Sequence, residues 1–424
     1  MPRVLRPHAL LATADAIWLV DEVQPVAARL DPVDGGLLGL VDWRGLEPPG
    51  CPQRPVACDR TRLWVQWGER LVCVDADGVR CTAEVPGLEL LAAGGPGAWL
   101  VGPRYAETGD PHHGVPAPPL PPGVLALVTP DGELRRIAVD RLPVDARADA
   151  SALRLQVYLQ PPTAVPTGQG SYGFDYHEAV YRLPYPALAG DRVGVTEHEP
   201  AAFEPEPPQL AWLAPDEPGW EVEGRTWRVG RLGDGFGHDR EIVAAVSAAD
   251  GTQARRVPLG RGHVLAGLPA HGRLWFLLLR REPGGARRRE VVALDPSSHT
   301  VTTVVACDGI DVSAHRLPLP AAPPPQARPH AENRLAWFAE VWRDGFADMT
   351  DVDVALVGRW PDTAVEVTFG HHLFPGGRLR RRVALFDELG RPADVEYSDI
   401  GLMEDLDTAD LPPVSEAVDG VLHI

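Results

Sequence analysis

The chain contains no lysine, so all 40 of its basic residues are arginine. That absence excludes the P-loop lysine, the kinase strand lysine, Schiff-base catalysis and pyridoxal phosphate attachment together. Asparagine occurs once, at Asn333, and Asn333-Arg334-Leu335 is not a glycosylation acceptor. Positive charge is scarce as well: 59 Asp and Glu against 40 Arg leave a formal net charge of −19. This balance argues against nucleic acid and anionic membrane as partners. No apolar run reaches the length of a membrane span. The N-terminal stretch MPRVLRPHALLATADAIWLV is broken by Asp15 and Trp18 and lacks a signal-peptide core, which makes the cytoplasm the expected location. The five cysteines (Cys51, Cys58, Cys73, Cys81 and Cys307) form no CxxC, and no HExxH, EF-hand loop or zinc spacing is present. Free thiols in a reducing compartment are expected. Cys73 and Cys81 flank the turn Asp75-Ala76-Asp77-Gly78, so a disulfide across a hairpin is the open alternative.

What the chain has in quantity is turns and short apolar strands. Of 424 residues, 43 are Gly and 45 are Pro, scattered along the whole length, while 44% are hydrophobic. A weak repeat runs through the first three quarters: an apolar strand often carrying Trp, a polar gap, a second strand, an Asp/Gly turn and a third strand. Its instances begin at AIWLVD, RLWVQWG, GAWLVG, LRLQVYLQ, TWRVGRLG and RLWFLLLRRE. Turn positions Gly35, Gly78, Gly132, Gly190, Gly251 and Ser298 are spaced as four-stranded units would be. Period-2 apolar runs closed by Asp-Gly turns predict strands. Radial stacking of such units protects sheet edges that an open sheet would expose.

Two segment pairs, Ile17-Trp18-Leu19-Val20 with Arg29-Leu30-Asp31-Pro32, and Leu274-Trp275-Phe276 with Ala293-Leu294-Asp295-Pro296, resemble the blades of streptogramin-lyase and gluconolactonase-like β-propellers. The resemblance spans roughly residues 8–310 and is one of fold. It implies a mainly β chain, a six-bladed propeller with a seventh blade as the variant, over residues 1–316. Residues 317–330 read as a Pro-rich linker. Residues 331–424 read as a small α+β domain of one helix on a four-stranded antiparallel sheet, or as that seventh blade. The helix would present Leu335, Phe338, Val341, Trp342 and Phe346 on one stripe, followed by VDVALVG, AVEVTFGHH, LRRRVALFD and ADVEYSDIG as strands.

Candidate sites are sparse. Gly168-Gln169-Gly170-Ser171-Tyr172-Gly173 matches the dinucleotide fingerprint, but prolines precede it and strand-like sequence follows, so it reads as a loop. Ser171, Asp175, His177 and Glu178 crowd the same loop, yet neighbours along one loop seldom converge as a triad. His112 and His113, beside Glu107 and Asp110, and His238 with Asp239 are the candidate ligands for a divalent metal. Arg378, Arg380 and Arg382 alternate on one strand face, a row of guanidinium forks suited to carboxylate or phosphate; Glu404, Asp405 and Asp407 offer it internal partners. No complete catalytic motif accompanies these features. The sequence therefore points to a non-catalytic binding or scaffold protein with a protein partner. The alternative is a metal-assisted lyase or lactonase at the channel mouth of the propeller, as the family resemblance implies.

Overall fold

The computed structural model describes residues 4–46, 55–102, 108, 115–168, 171–202, 220–232, 240–247, 253–281, 287–344, 349–371, 378–387, 389–393 and 421–423. The protein is mainly β, with one α-helix among these residues. Strands β1 (Pro7–Ala12), β2 (Ile17–Asp21), β3 (Val26–Leu30) and β4 (Leu37–Asp42) form the first four-stranded sheet in chain order. Strands β5 (Val56–Cys58), β6 (Leu63–Trp67), β7 (Arg70–Asp75) and β8 (Gly78–Glu84) form the second. The third holds β9 (Glu89–Gly94), β10 (Gly97–Val101), β11 (Gly123–Val128) and β12 (Leu134–Val139). The fourth is built from β13 (Pro143–Ala148) and β14 (Ala152–Tyr158); a separate hairpin of β15 (Thr163–Gly168) and β16 (Ser171–Asp175) then precedes β17 (Glu178–Pro184). The short β18 (Arg192–Val193) adds a parallel fifth strand to the third sheet, and β19 (Glu199–Ala201) completes the fourth.

The fifth and sixth sequence repeats fall in one seven-stranded sheet. They comprise β20 (Trp220–Val222), β21 (Arg225–Leu232), β22 (Arg240–Ser247), β23 (Gln253–Ala270), β24 (Arg273–Arg281), β25 (Arg287–Asp295) and β26 (Thr300–Ala306). The 18-residue β23 pairs with β22 along its first half and with β24 along its second. The bend between them uses Gly260 at φ +89° and Gly262 at φ +138°, and a Cβ on Gly262 would lie 2.4 Å from the Leu279 carbonyl oxygen. No L side chain fits there.

The repeated tryptophan has a physical cause. Trp18, Trp64, Trp99, Trp227 and Trp275 all occupy the second strand of their units and are at most 1% exposed. Those second strands are buried on both faces, as in Ile17–Asp21 and Gly97–Val101, whereas the fourth strands β4 and β8 are mostly half-buried or exposed. A strand buried on both faces reads as a continuous apolar run. Three of the indoles reach back five residues: Trp18 donates to Thr13 Oγ1 at 3.1 Å, Trp64 to Asp59 Oδ2 at 3.2 Å and Trp275 to the Ala270 carbonyl at 3.2 Å. The same turn is fixed at Asp59, whose carboxylate accepts the Thr61 and Arg62 amides at 2.8 and 2.9 Å. Indole and turn therefore specify one another, and truncating such a tryptophan to alanine costs about 3–5 kcal/mol.

Two compact units result: one of Met1–His8, Val23–Pro25 and Pro207–Ile424, the other of Ala9–Glu22 and Val26–Glu206. Within the first, Leu5 donates its amide to Ile310 O at 3.1 Å, Val4 bridges Asp311, and Leu317 donates to Gln24 Oε1 at 3.1 Å. Helix α1 (Ala327–Asp344) begins inside the expected linker, which therefore ends before residue 327. Pro329 is compatible with its first turn because the amide it lacks has no intrahelical partner there. Ala327, Ala331 and Phe338 pack on Val365, Val367 and Phe369 of the last sheet, with Trp337 and Val341 alongside. That sheet is β27 (Met349–Val357), β28 (Ala364–His371), β29 (Arg378–Ala384) and β30 (Val421–His423). Its first three strands are antiparallel, and the fourth, β30, runs parallel to β29. The expected fourth strand, ADVEYSDIG, falls from residue 394 onward outside the described residues. The side chains of Trp342 and Phe346 also lie outside them.

Candidate binding site

Two places in the fold gather chemistry. The first is a cleft of about 380 Å³ lined by Ala117, Pro119, Leu120, Pro121, Asp140, Arg141, Leu159, Gln160 and Pro161. Its size falls within the range of small-molecule sites. One wall is the Pro-rich approach to β11, another the β12–β13 turn, and the third the exit from β14. Gly123 lets these come together: a Cβ there would sit 2.3 Å from both the Arg141 carbonyl oxygen and Pro143 Cδ. Asp140 is committed to the wall, accepting the Val195 amide at 2.7 Å and lying 3.4 Å from the Thr196 hydroxyl. Arg141 is less committed. Its Nη1 lies 3.4 Å from the Asp140 carbonyl oxygen, and its buried Nε has no hydrogen-bond partner among the described residues. The cleft thus combines apolar walls with one guanidinium.

Beside it in the chain rises the β15–β16 hairpin. Val165, Tyr172 and Tyr176 are each about 40% exposed there, as is Leu159 at the cleft (44%, 39%, 44% and 42%). Tyr176 leans on Tyr158 at a ring distance of 5.9 Å. The expected loop at the Gly-rich fingerprint is this hairpin; strand β16 follows the turn, so no helix N-terminus is offered to a phosphate. Nor do the clustered polar residues converge. Ser171 opposes Gly168 at the turn, whereas Asp175 opposes Thr163 at the far end of the hairpin. Four residues of strand separate them, about 13 Å at 3.3 Å per residue. His177 lies 3.6 Å from Asp175, and Glu178 instead accepts a hydrogen bond from Gln156.

The second place is the outer face of the last sheet. Register puts Arg382 opposite Glu366, Arg380 opposite Thr368 and Arg381 opposite Val367. Arg380 and Arg382 therefore lie on the face away from α1. Arg380 Nε is 3.4 Å from Glu366 Oε1. Arg382 donates Nη2 to the Asp362 carbonyl at 3.1 Å and is exposed. The Arg378 side chain and the acidic residues Glu404, Asp405 and Asp407 lie outside the described residues. So do His112, His113, His238 and Asp239. Among the described residues no cluster of three His, Cys, Asp or Glu is placed to hold a metal, and no helix is long and apolar enough to cross a membrane.

The cleft is the feature that sequence reasoning missed. Its walls come from segments some 20 residues apart, and Pro-rich sequence reads as a loop without saying what it faces. The available signal was Gly123, a glycine opening an otherwise apolar strand, which marks a close backbone approach.

No protein-family model matches the chain, and no curated protein matches it in sequence. Solved structures with similarity include a point variant of Synechocystis apocarotenoid oxygenase, at 15% identity and a TM-score of 0.28, over 70% of each chain. The dihydro-heme d1 dehydrogenase NirN aligns over 93% of this chain and 78% of its own, at 12% identity and a TM-score of 0.31. AztD of Citrobacter koseri aligns over 69% of this chain and 94% of its own, at 9% identity and a TM-score of 0.27. Alignments this weak carry no argument about family or activity. The succession of antiparallel sheets itself fits a propeller-like fold.

Proposed function

We propose that the chain is a non-catalytic binding protein built on a β-propeller, which engages an acidic protein partner through Arg378, Arg380 and Arg382. The propeller reading is supported by the succession of antiparallel sheets along the repeats, and by the burial that falls from second to fourth strand in the first two of them. The observation that carries the binding reading is the outer face of the last sheet. There Arg380 pairs with Glu366, Arg382 lies opposite the same residue and donates to a neutral carbonyl, and Asp353 stands on the same face opposite Thr368. A row of guanidinium groups in a chain of net charge −19 is an exception to the global field and would steer an acidic surface.

The test is binding of an oligo-glutamate peptide to the full chain at low and high salt. Wild type should bind with an affinity that falls as salt rises, and changing Arg378, Arg380 and Arg382 together to Ser should weaken binding at least tenfold while the circular dichroism spectrum is unchanged. Equal binding by the triple variant, or a triple variant that only unfolds more easily, would remove the reading. A second reading, metal-assisted lyase or lactonase chemistry, is supported by the cleft, because the long insertions of the fourth unit and of the third build it. Stoichiometric divalent metal in protein purified without added metal would favour that reading.

A further inference from the structure

Register places Cys73 of β7 directly opposite Cys81 of β8. Directly paired antiparallel residues have Cα atoms about 4.5–5.5 Å apart, inside the span of about 4.4–6.8 Å that disulfides bridge. Both are thiols in this structure, Cys73 buried and Cys81 half-buried. The pairing is also locally adjustable. Cys73 pairs Cys81 while Val74 pairs Val79, so Arg80 is an extra residue bulged out of β8. Its guanidinium is held by Asp75 and, at 2.7 Å, by Asp77. A bulge lets one strand shift against the other without disturbing the remaining ladder. Cys81 Sγ lies 3.9 Å from the Thr129 carbonyl oxygen, and Gly132 next to it has no side chain to cover the sulfur.

We propose that Cys73 and Cys81 are a modification site: a dithiol that hydroperoxides oxidise to a cross-strand disulfide and small thiols reduce again. The roles divide by environment. Hydrogen bonding between the two thiols, the largest cause for each, raises Cys73 far above an ordinary thiol and draws Cys81 below one. Cys81, the more accessible, is the nucleophile. Its thiolate attacks one oxygen of hydrogen peroxide, the O–O bond breaks, and hydroxide leaves to be protonated to water. The sulfenic acid so formed is attacked by the Cys73 sulfur; the S–O bond breaks, and the departing hydroxide takes the Cys73 proton as a second water. Two thiols lose two electrons and two hydrogens, and one peroxide becomes two waters. Cys58 has another role: burial pushes its thiol up to about 11, and it donates to the Ala12 carbonyl at 3.2 Å.

Trypsin reports the product cleanly, because cleavage after Arg70, Arg80 and Arg104 puts the two cysteines on separate peptides, 71–80 and 81–104. Reduced full-length protein is treated with hydrogen peroxide, blocked with N-ethylmaleimide in denaturant and digested. The expected result is loss of two of the five thiols and a linked 71–80/81–104 peptide that dithiothreitol dissolves. In Cys73→Ser, Cys81 should stop at a sulfenic acid trapped by dimedone; in Cys81→Ser, oxidation of Cys73 should slow at least tenfold. Overoxidation of wild-type Cys81 without the link, or a link from Cys81 to Cys51 or Cys58, would overturn the proposal. So would an unchanged Cys73 rate in Cys81→Ser. The wild-type peptide map decides the matter even where a variant fails to fold.

Discussion

Replacing Arg280 by methionine should destabilise the first compact unit by about 3–5 kcal/mol. Arg280 sits where β23 bends, and its three nitrogens are all used. Nε pairs with Glu290 Oε1 at 2.6 Å, Nη1 donates to the Arg261 carbonyl at 2.5 Å and Nη2 to the Leu259 carbonyl at 2.5 Å. The guanidinium therefore clamps the two residues that flank Gly260. Glu290 is 5% exposed at its side chain, and its second oxygen is 3.2 Å from Arg288. Removing one partner of a buried pair costs about 3–5 kcal/mol, because the other charge stays buried. Arg288 softens that loss, and the Arg261 carbonyl, on an exposed residue, can be rehydrated. The Leu259 carbonyl belongs to a buried residue and adds about 1–3 kcal/mol if it is left unmade. Urea denaturation gives the total, and hydrogen exchange on peptides covering residues 253–281 locates it. The double variant Arg280→Met, Glu290→Met should cost less than the sum of the single changes, since it leaves no stranded carboxylate. A single-variant loss below about 1 kcal/mol with protection of the bend unchanged would refute the clamp, since that is what an exposed ion pair gives.

Two further predictions concern turns. Glu223 and Gly224 both have positive φ, at 53° and 69°, between β20 and β21; Glu223→Asn supplies the residue this hairpin turn prefers and should raise stability by about 0.5–1 kcal/mol in the same urea assay. Asp295 is held down at about 2, chiefly by the Ser297 hydroxyl and then by the Ser298 amide. Its folded value lies below its unfolded one, so its contribution is present above about pH 4 and is lost as pH falls through about 2. Asp295→Asn should therefore be less stable than wild type at pH 5 and equal to it near pH 2; a constant gap across that window would contradict the assignment.

The fold was legible wherever side chain and turn chemistry agreed. Tryptophan in a doubly buried strand leaves a local signature; five of the six repeats carry one, and in three of them a residue five positions earlier receives its N–H. The fourth unit, with Leu153 and Leu155 in that place, was correspondingly the degenerate repeat. Strand β30 was not legible: three residues paired in parallel to a strand about 40 positions earlier carry no periodicity of their own. The helix start was obscured because Pro324, Pro325 and Pro329 read as linker, although proline is at home before and within a first helical turn. Of its expected stripe, Phe338 and Val341 pack on the sheet, joined by Ala327 and Ala331, whereas Leu335 is outside that cluster. The Arg280 clamp is invisible in sequence because its carbonyl partners depend on a bend that only Gly260 and Gly262 permit. The cysteine pair was visible as a spacing, and the bulge at Arg80 is what the spacing concealed.

The tether between the two ends of the first unit has a consequence in time. Gln24 receives the amide of Leu317, 293 residues away, and Leu5 waits equally long for Ile310. At ~5–20 residues per second, a ribosome needs about 15–60 s to supply those partners. During that interval the first strands leave the exit tunnel with part of their pairing still unsynthesised. Leu5, which ends almost fully buried, is exposed until then. The segment around Leu5 is thus made well before the residues that secure it.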